Sequence, residues 1–252
     1  MDLMNYFNLV NDYPVNDFDI FNKWNEEGRP IDEYIVELNM SNSNIDFLGN
    51  LENLVDLRVL YCYNNQLTSL EGIENLVELK SLYCCRNNQL KSLKEIENLV
   101  NLEYLYFCNN KLTSLEGIEN LVNVKILYCY ENSLTSLEGI ENLINLTNLH
   151  CQYNKLTSLE GIENLINLNF LSCYDNQLTS LEGMEILTKL IKNNKQIKND
   201  IRYNFIDSDD YIELNVLFVN LIKCDDNEID KYIEEIEKMI GKLNGFQKCV
   251  LK

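Results

Sequence analysis

Apolar residues recur through the middle of the chain with a single period. Counted from Leu-Thr-Ser-Leu and its variants, successive units begin at Leu67, Leu90, Leu112, Leu134, Leu156 and Leu178, in steps of 23, 22, 22, 22 and 22 residues. The longer step contains Tyr83-Cys84-Cys85-Arg86-Asn87-Asn88, which holds one inserted residue. A degenerate earlier copy runs from Ile35 through Leu38 and Met40 to Ile45, so about seven units span residues 35–190. A period of this length means that each unit is one small structural element whose apolar face is buried only by its neighbours.

Two patterns alternate inside each unit. Pairs such as Leu60/Cys62 and Leu127/Cys129 have the period of two that marks a short strand with one buried face. The second half, for example Leu70, Ile73, Leu76 and Leu79, spaces its apolar residues by three, which predicts a 3₁₀ or short helical turn. Strands stacked in parallel about 4.8 Å apart would place Leu on Leu along the whole array. A recurring Asn (Asn65, Asn88, Asn110, Asn132, Asn154, Asn176) follows each strand, where backbone groups lose their ladder partners. Its side-chain amide can satisfy them, which predicts a structural ladder with no binding role.

Each unit fits Leu-x-x-Leu-x-Leu-x-x-Asn-x-Leu, as at Leu57, Leu60, Cys62, Asn65, Leu67 and again at Leu146, Leu149, Cys151, Asn154, Leu156. On these residues the chain resembles the leucine-rich repeat family. The short class of about 22 residues fits best, as in intracellular phosphatase-regulatory and bacterial internalin-type proteins. The resemblance implies an α/β fold: a right-handed solenoid with a parallel concave sheet, a 3₁₀ or short helical convex side, and helical caps. It implies a fold and leaves the activity open.

Both ends of such an array need covers. Residues 1–34 predict an N-terminal helical cap, with Phe18, Phe21 and Trp24 on one face of a helix that Asp17 could cap and that Gly28 and Pro30 stop. Residues 191–252 predict a C-terminal cap or tail. There Ile229, Ile233, Ile236, Ile240 and Leu243 sit at helical spacing behind Asp225-Asp226. Tyr211 to Ile222 is largely apolar and reads equally as helix or strand.

Composition narrows the function classes. Forty Asp and Glu against 21 Lys and Arg give a formal charge of −19, which repels phosphate backbones and anionic headgroups and predicts neither nucleic-acid nor membrane binding. No apolar run approaches the length of a spanning helix, and the N-terminal residues lack secretory-signal character. The absence of Ala, with much Asn, Ile and Lys, fits an AT-rich coding genome, viral or unicellular. The nine Cys follow the structural period instead of a disulfide framework, so the expected compartment is cytoplasmic and reducing.

No phosphate loop, dinucleotide turn, nucleophile elbow or zinc-hydrolase pattern occurs, and no cofactor or metal is expected. The one His, His150, occupies a strand slot held by Tyr in other units, which reads as a surface variant and not a base. Cys62, Cys84, Cys129, Cys151 and Cys173 take the inward slot, interrupted by Phe107, and predict an inert core column. Cys85 and Cys108 face outward on adjacent strands, near enough to pair or to share a soft metal, but read first as surface thiols. The carboxylate pairs Glu116/Glu119, Glu138/Glu141 and Glu160/Glu163 predict a solvated acidic outer face.

The outward strand positions hold the chain's candidate binding site. They gather Tyr61, Tyr63, Tyr83, Tyr104, Tyr106, Tyr128, Tyr130, Tyr153 and Tyr174, with Phe170 near one end. These are nine of the fifteen Tyr. Aromatic clusters dominate protein interfaces, and Tyr offers contact area at low entropy cost. Tyr is also a good strand former that duplication would copy. Variation in the other exposed slots, Glu131, Gln152, Ser172 and Asp175, suits either reading. The expectation is therefore a non-enzymatic scaffold that holds an unknown protein or peptide on a Tyr-rich concave face. The alternative is a regulatory or adaptor subunit whose C-terminal region recruits phosphatase or ubiquitin machinery. A tail enzyme built on Cys224 or Cys249, and a secreted adhesion module, rank lower.

Overall fold

The structure is a computed structural model, and it describes residues 35–49, 51–87, 89–178, 181–193, 201–202, 217, 220–221 and 223–250. The N-terminal helical cap expected over residues 1–34 lies outside them, as does most of the Tyr211 to Ile222 run.

Seven three-residue strands follow one another at the repeat period: β1 (Glu37–Asn39), β2 (Val59–Tyr61), β3 (Ser81–Tyr83), β4 (Tyr104–Tyr106), β5 (Ile126–Tyr128), β6 (Asn148–His150) and β7 (Phe170–Ser172). They pair in parallel and in chain order, and a two-residue strand β8 (Ile201–Arg202) adds to β7. Register never slips: Leu38, Leu60, Leu82, Leu105, Leu127, Leu149 and Leu171 lie side by side at the strand centres, all buried. A slip of one residue would turn this Leu row outward, so burial of one face fixes the pairing.

The three-residue spacing has a direct backbone cause. In the second half of a unit Ile73 N donates to Leu70 O, Leu76 N to Ile73 O, and Leu79 N to Leu76 O, at 3.3, 3.0 and 2.9 Å. Each step closes one turn and drops one apolar side chain inward, so Leu70, Ile73, Leu76 and Leu79 are all fully buried. Three units tighten this into a 3₁₀ turn, at Lys94–Ile96, Ile140–Asn142 and Ile162–Asn164. Gly139 and Gly161 open two of these turns at φ of 93° and 97°, a conformation that costs any residue with a Cβ about 1–2 kcal/mol.

Two Asn ladders tie unit to unit. In the first, Asn132 donates to Phe107 O and Cys129 O at 3.0 Å each and accepts from Leu112 N at 3.0 Å. Asn154 and Asn176 repeat this one and two units on. Sequence spacing places the ladder residue of the longer unit at Asn88, and the structure does not. The ladder residue in the 23-residue unit is Asn87, which donates to Cys62 O and Cys84 O, so the inserted residue follows the ladder position instead of preceding it. The second ladder runs along the outer side, unforeseen in the sequence reading. Asn101, Asn123, Asn145 and Asn167 donate to the carbonyls of Val77, Val100, Val122 and Ile144 in the preceding unit, at 2.8–2.9 Å.

At the far end helix α1 (Leu181–Asn193) takes the place of the turn, packing on the Ile162–Asn164 segment and on helix α2 (Ile229–Val250). Ile186, Leu187, Leu190 and Ile191 of α1, with Ile229, Ile233, Ile236 and Ile240 of α2, continue the Leu core without a break. Lys192 Nζ reaches Glu237 Oε1 at 2.9 Å across the two helices. From Ile229 to Ile240 the predicted apolar stripe is therefore the buried face of a C-terminal cap, while the side chain of Leu243 lies outside the described residues.

Candidate functional site

The concave face carries three columns of outward side chains, set by strand alternation. The central column is aromatic and continuous. Tyr61 stacks on Tyr83 and Tyr83 on Tyr106, with ring centroids 4.6 and 4.5 Å apart and planes inclined by 17° and 9°. Tyr106 then meets Tyr128 edge-on at 4.9 Å. His150 continues the series, 4.0 Å from Tyr128 and 4.5 Å from Phe170, on which it stacks. His150 is thus a member of the column; its place in the Tyr slot was the available signal. The rings are half-buried, because each covers its neighbour's face.

The remaining aromatics divide. Tyr104 and Phe170 stand in the column at the strand starts, beside Val59, Ile126 and Asn148. Tyr63 and Tyr174 stand in the third column, just past the strands, and are half-buried. Tyr130 belongs to that column too, but is only 6% exposed and packs on Cys85 and Cys108, so it cannot offer contact area as expected. Tyr153 lies off the strand face. It occupies the left-handed position of the turn that follows, at φ 55°, with its ring edge-on to Tyr174 at 5.2 Å. Asn64, Arg86, Asn109, Glu131 and Asp175 hold the same turn position in other units, so Glu131 and Asp175 are turn residues. Gln152 and Ser172, expected to be exposed, are buried.

The cysteines show the clearest departure. Cys85 and Cys108 form a disulfide, with Cα atoms 4.6 Å apart, and are 9% and 1% exposed. Parallel neighbours at this point of the sheet come close enough for bridging, and Tyr63, Tyr106, Tyr128 and Tyr130 close over the bond. They are not surface thiols. The inward column behaves as expected: Cys62, Cys84, Cys129, Cys151 and Cys173 are fully buried, and the Cys62 and Cys84 sulfurs are in contact at 2.6 Å. Burial pushes the Cys129 thiol up to about 12 and raises Cys84, Cys151 and Cys173 as well, so these four are not ready thiolates.

Electrostatics around the aromatics are local. Desolvation raises the Tyr83 hydroxyl above its ordinary value, opposed by a hydrogen bond with Tyr106 and helped by Tyr104 and Glu37. Burial raises Tyr63 similarly, against hydrogen bonds with Ser41 and Asn42. On the sheet margin Glu103 sits between Lys125 at 2.6 Å and Lys80 at 3.9 Å, bridging three units; the Lys125 hydrogen bond holds its carboxyl below the usual range. Among the described residues no group of three or more His, Cys, Asp or Glu is placed to hold a metal ion. No helix there is long and apolar enough to cross a membrane.

Comparison with known proteins agrees with this geometry. Residues 56–189 match the family of Leucine Rich repeats (2 copies), in overlapping stretches 56–99, 77–120, 100–142, 122–165 and 144–189. This is half of the chain, and the protein belongs to the leucine-rich repeat family. A comparison with curated proteins gives no match. Among solved structures, internalin C2 of Listeria monocytogenes superposes with a TM-score of 0.59 at 24% identity, over 68% of this chain and 72% of that one. A leucine-rich repeat protein of Leptospira interrogans gives 0.58 at 26% identity, over 73% and 52%. The functional domain of InlJ from L. monocytogenes, which includes a cysteine ladder, gives 0.52 at 25% identity, over 62% and 36%. The chain spans only about half of the Leptospira protein and a third of the InlJ domain. Leucine-rich repeats are in general non-enzymatic scaffolds for protein–protein interaction.

Proposed function

We propose that this protein binds a protein or peptide segment along its concave aromatic column. The observation that carries the reading is the unbroken series Tyr61, Tyr83, Tyr106, Tyr128, His150 and Phe170, with successive rings 4.0–4.9 Å apart. Stacking holds each ring in place, so a partner meets a preorganised row and loses little side-chain entropy in ordering it. Ring edges and hydroxyls together suit a ligand that offers apolar side chains and hydrogen-bonding groups in alternation, as an extended peptide does. Tyr104, Tyr63 and Tyr174 flank the row. Tyr130 and Tyr153 fall outside the contact surface, the first as cover for the disulfide and the second as a turn residue.

The adaptor reading has less support, because Ile229, Ile233, Ile236 and Ile240 of α2 are spent on the core. The intracellular compartment remains part of the proposal; the buried inward thiols, outside any disulfide, suit it, and the Cys85–Cys108 bond is shielded from attacking thiolates by burial.

The test is affinity capture from the native host with wild type and with Tyr83→Ser/Tyr106→Ser/Tyr128→Ser, whose fold is checked by circular dichroism. A partner held by wild type and lost from the folded variant is the expected result. A partner held equally by both would reduce the column to strand packing.

A further inference from the structure

The outer side carries a second periodic surface. Val55, Val77, Val100, Val122, Ile144 and Ile166 occupy one position in six successive units, four residues before each strand, and are 39–66% exposed. Scattered surface aliphatics are ordinary; six in register on adjacent units make a continuous ridge. The outer Asn ladder holds the carbonyls of four ridge residues, so the ridge backbone is fixed while the side chains face outward.

A charged row runs beside it. Glu119, Glu141 and Glu163 lie three residues before Val122, Ile144 and Ile166, and each accepts a hydrogen bond from the backbone N–H of Gly117, Gly139 or Gly161 at 2.8–2.9 Å. These carboxylates are held in line with the ridge instead of trailing freely in solvent.

From this juxtaposition we propose that the ridge is a docking site for a basic amphipathic helix of a partner protein, lying along the solenoid axis. Periodicity supports a helix. Parallel strands repeat every ~4.8 Å, the outer side of a curved stack is somewhat wider, and an α-helix repeats every ~5.4 Å, so one apolar residue per helical turn meets one ridge residue per unit. Six ridge positions match about five turns, or ~18 residues. Charge sets the sign: the Glu row and the formal charge of −19 select Lys and Arg on the flank of the helix and disfavour a second copy of this chain, which would bring the same carboxylates. This surface is independent of the concave column.

The test uses the full chain and two labelled helical peptides of ~18 residues, each with a Leu stripe at i, i+3, i+4 and i+7 and with either Lys or Glu on the flanks. Fluorescence anisotropy should show binding of the Leu/Lys peptide. Val100→Thr/Val122→Thr/Ile144→Thr, which keeps β-branched shapes at exposed positions, should weaken it by at least about tenfold. Tyr83→Ser/Tyr106→Ser/Tyr128→Ser should leave it unchanged, which separates this proposal from the concave one. Four results would overturn it: no binding of the Leu/Lys peptide to wild type, equal binding to wild type and the Thr variant, equal binding of the Leu/Glu peptide, or phosphatidylcholine vesicles bound by wild type and lost by the Thr variant, which would assign the ridge to a lipid surface.

Discussion

Residues 81–111 and residues 112–178 follow one repeat pattern, yet the first stretch departs from it at several positions while the second keeps it. The first holds the 23-residue step, Phe107 where other units place Cys, Lys94-Glu95 where others place Glu-Gly, and two Cys in the third outward column. Its ladder residue Asn110 also differs. Its Oδ1 is buried without a partner, whereas Asn132, Asn154 and Asn176 each accept a backbone N–H 20 residues earlier. The departures are neighbours in space, and the disulfide joins the two strands on either side of the insertion. Above them Tyr61, Tyr83 and Tyr106 stack nearly parallel, whereas the contacts from Tyr106 to His150 are edge-on or tilted. Regular units show what copying alone maintains. The irregular ones show that a solenoid tolerates change when several changes compensate within one or two neighbouring interfaces.

The comparison can be broken by removing the compensations, most severely at Phe107. Its ring is wholly buried, so Phe107→Ala should cost about 3–5 kcal/mol, while Cys129→Ala at the matching regular position removes one sulfur and should cost far less. Urea midpoints followed by circular dichroism would give both numbers. Equal costs would mean that the irregular interface is loosely packed. Cys85→Ser/Cys108→Ser opens a 23-residue loop and should cost about 3 kcal/mol by the chain-entropy estimate. In the wild type, alkylation after denaturation without reductant should leave two of the nine thiols unmodified. Full modification would refute the bond.

Glycines sharpen the same contrast. Gly117 follows the unit that lacks its own glycine, and there the Lys94–Ile96 turn brings the Leu93 carbonyl so near that a Cβ on Gly117 would overlap it. At Gly161 the nearest atoms are side chains at 3.2–3.4 Å, which can give way. Gly161→Ala should therefore cost little more than the ~1–2 kcal/mol of a left-handed Ala. Gly117→Ala should cost distinctly more, measured by the same midpoints, and a smaller loss at Gly117 would contradict the close approach.

How much of this was readable beforehand depends on the kind of signal. The strand row at Leu60, Leu82 and Leu105, the three-residue step at Leu70, Ile73 and Leu76, and the α2 stripe were legible because burial imposes a period. The position of the insertion was not: Asn87 and Asn88 are chemically identical, and only the carbonyls of Cys62 and Cys84 select between them. Tyr130 and Tyr153 were misplaced for related reasons. Alternation predicts which side of the sheet a residue faces, but not whether a disulfide beneath draws it in, nor where the strand gives way to a left-handed turn. The outer ridge was invisible as a site because a single Val per unit looks like drift until register lines the copies up.

A smaller effect contrasts two positions of the first Asn ladder. Asn132→Ala takes one of two Asn donors from each of the Phe107 and Cys129 carbonyls and strands the Leu112 N–H, whereas Asn110→Ala takes one of two from each of the Cys84 and Phe107 carbonyls and removes an acceptor that already lacked a partner. The regular position should be the costlier by about 1–3 kcal/mol, the range for one buried group left unpaired. Equal losses in denaturant midpoint would show that the Oδ1 contact contributes nothing.

The smallest effect expected is the pH response of the Glu103 bridge, which links the two stretches. Lys125 and then Lys80 lower the Glu103 carboxyl in the folded state, so the folded protein binds that proton less readily than the unfolded chain does. The contribution is complete above the unfolded carboxylate range and fades as pH falls through the lowered folded value. The groups are solvent-facing, so salt screens the interaction. Glu103→Gln should flatten the acid limb of the stability curve slightly at low ionic strength and leave it unchanged at high salt. A flattening that survives high salt would require a packing role for the Glu103 side chain between Lys80 and Lys125, beyond its charge.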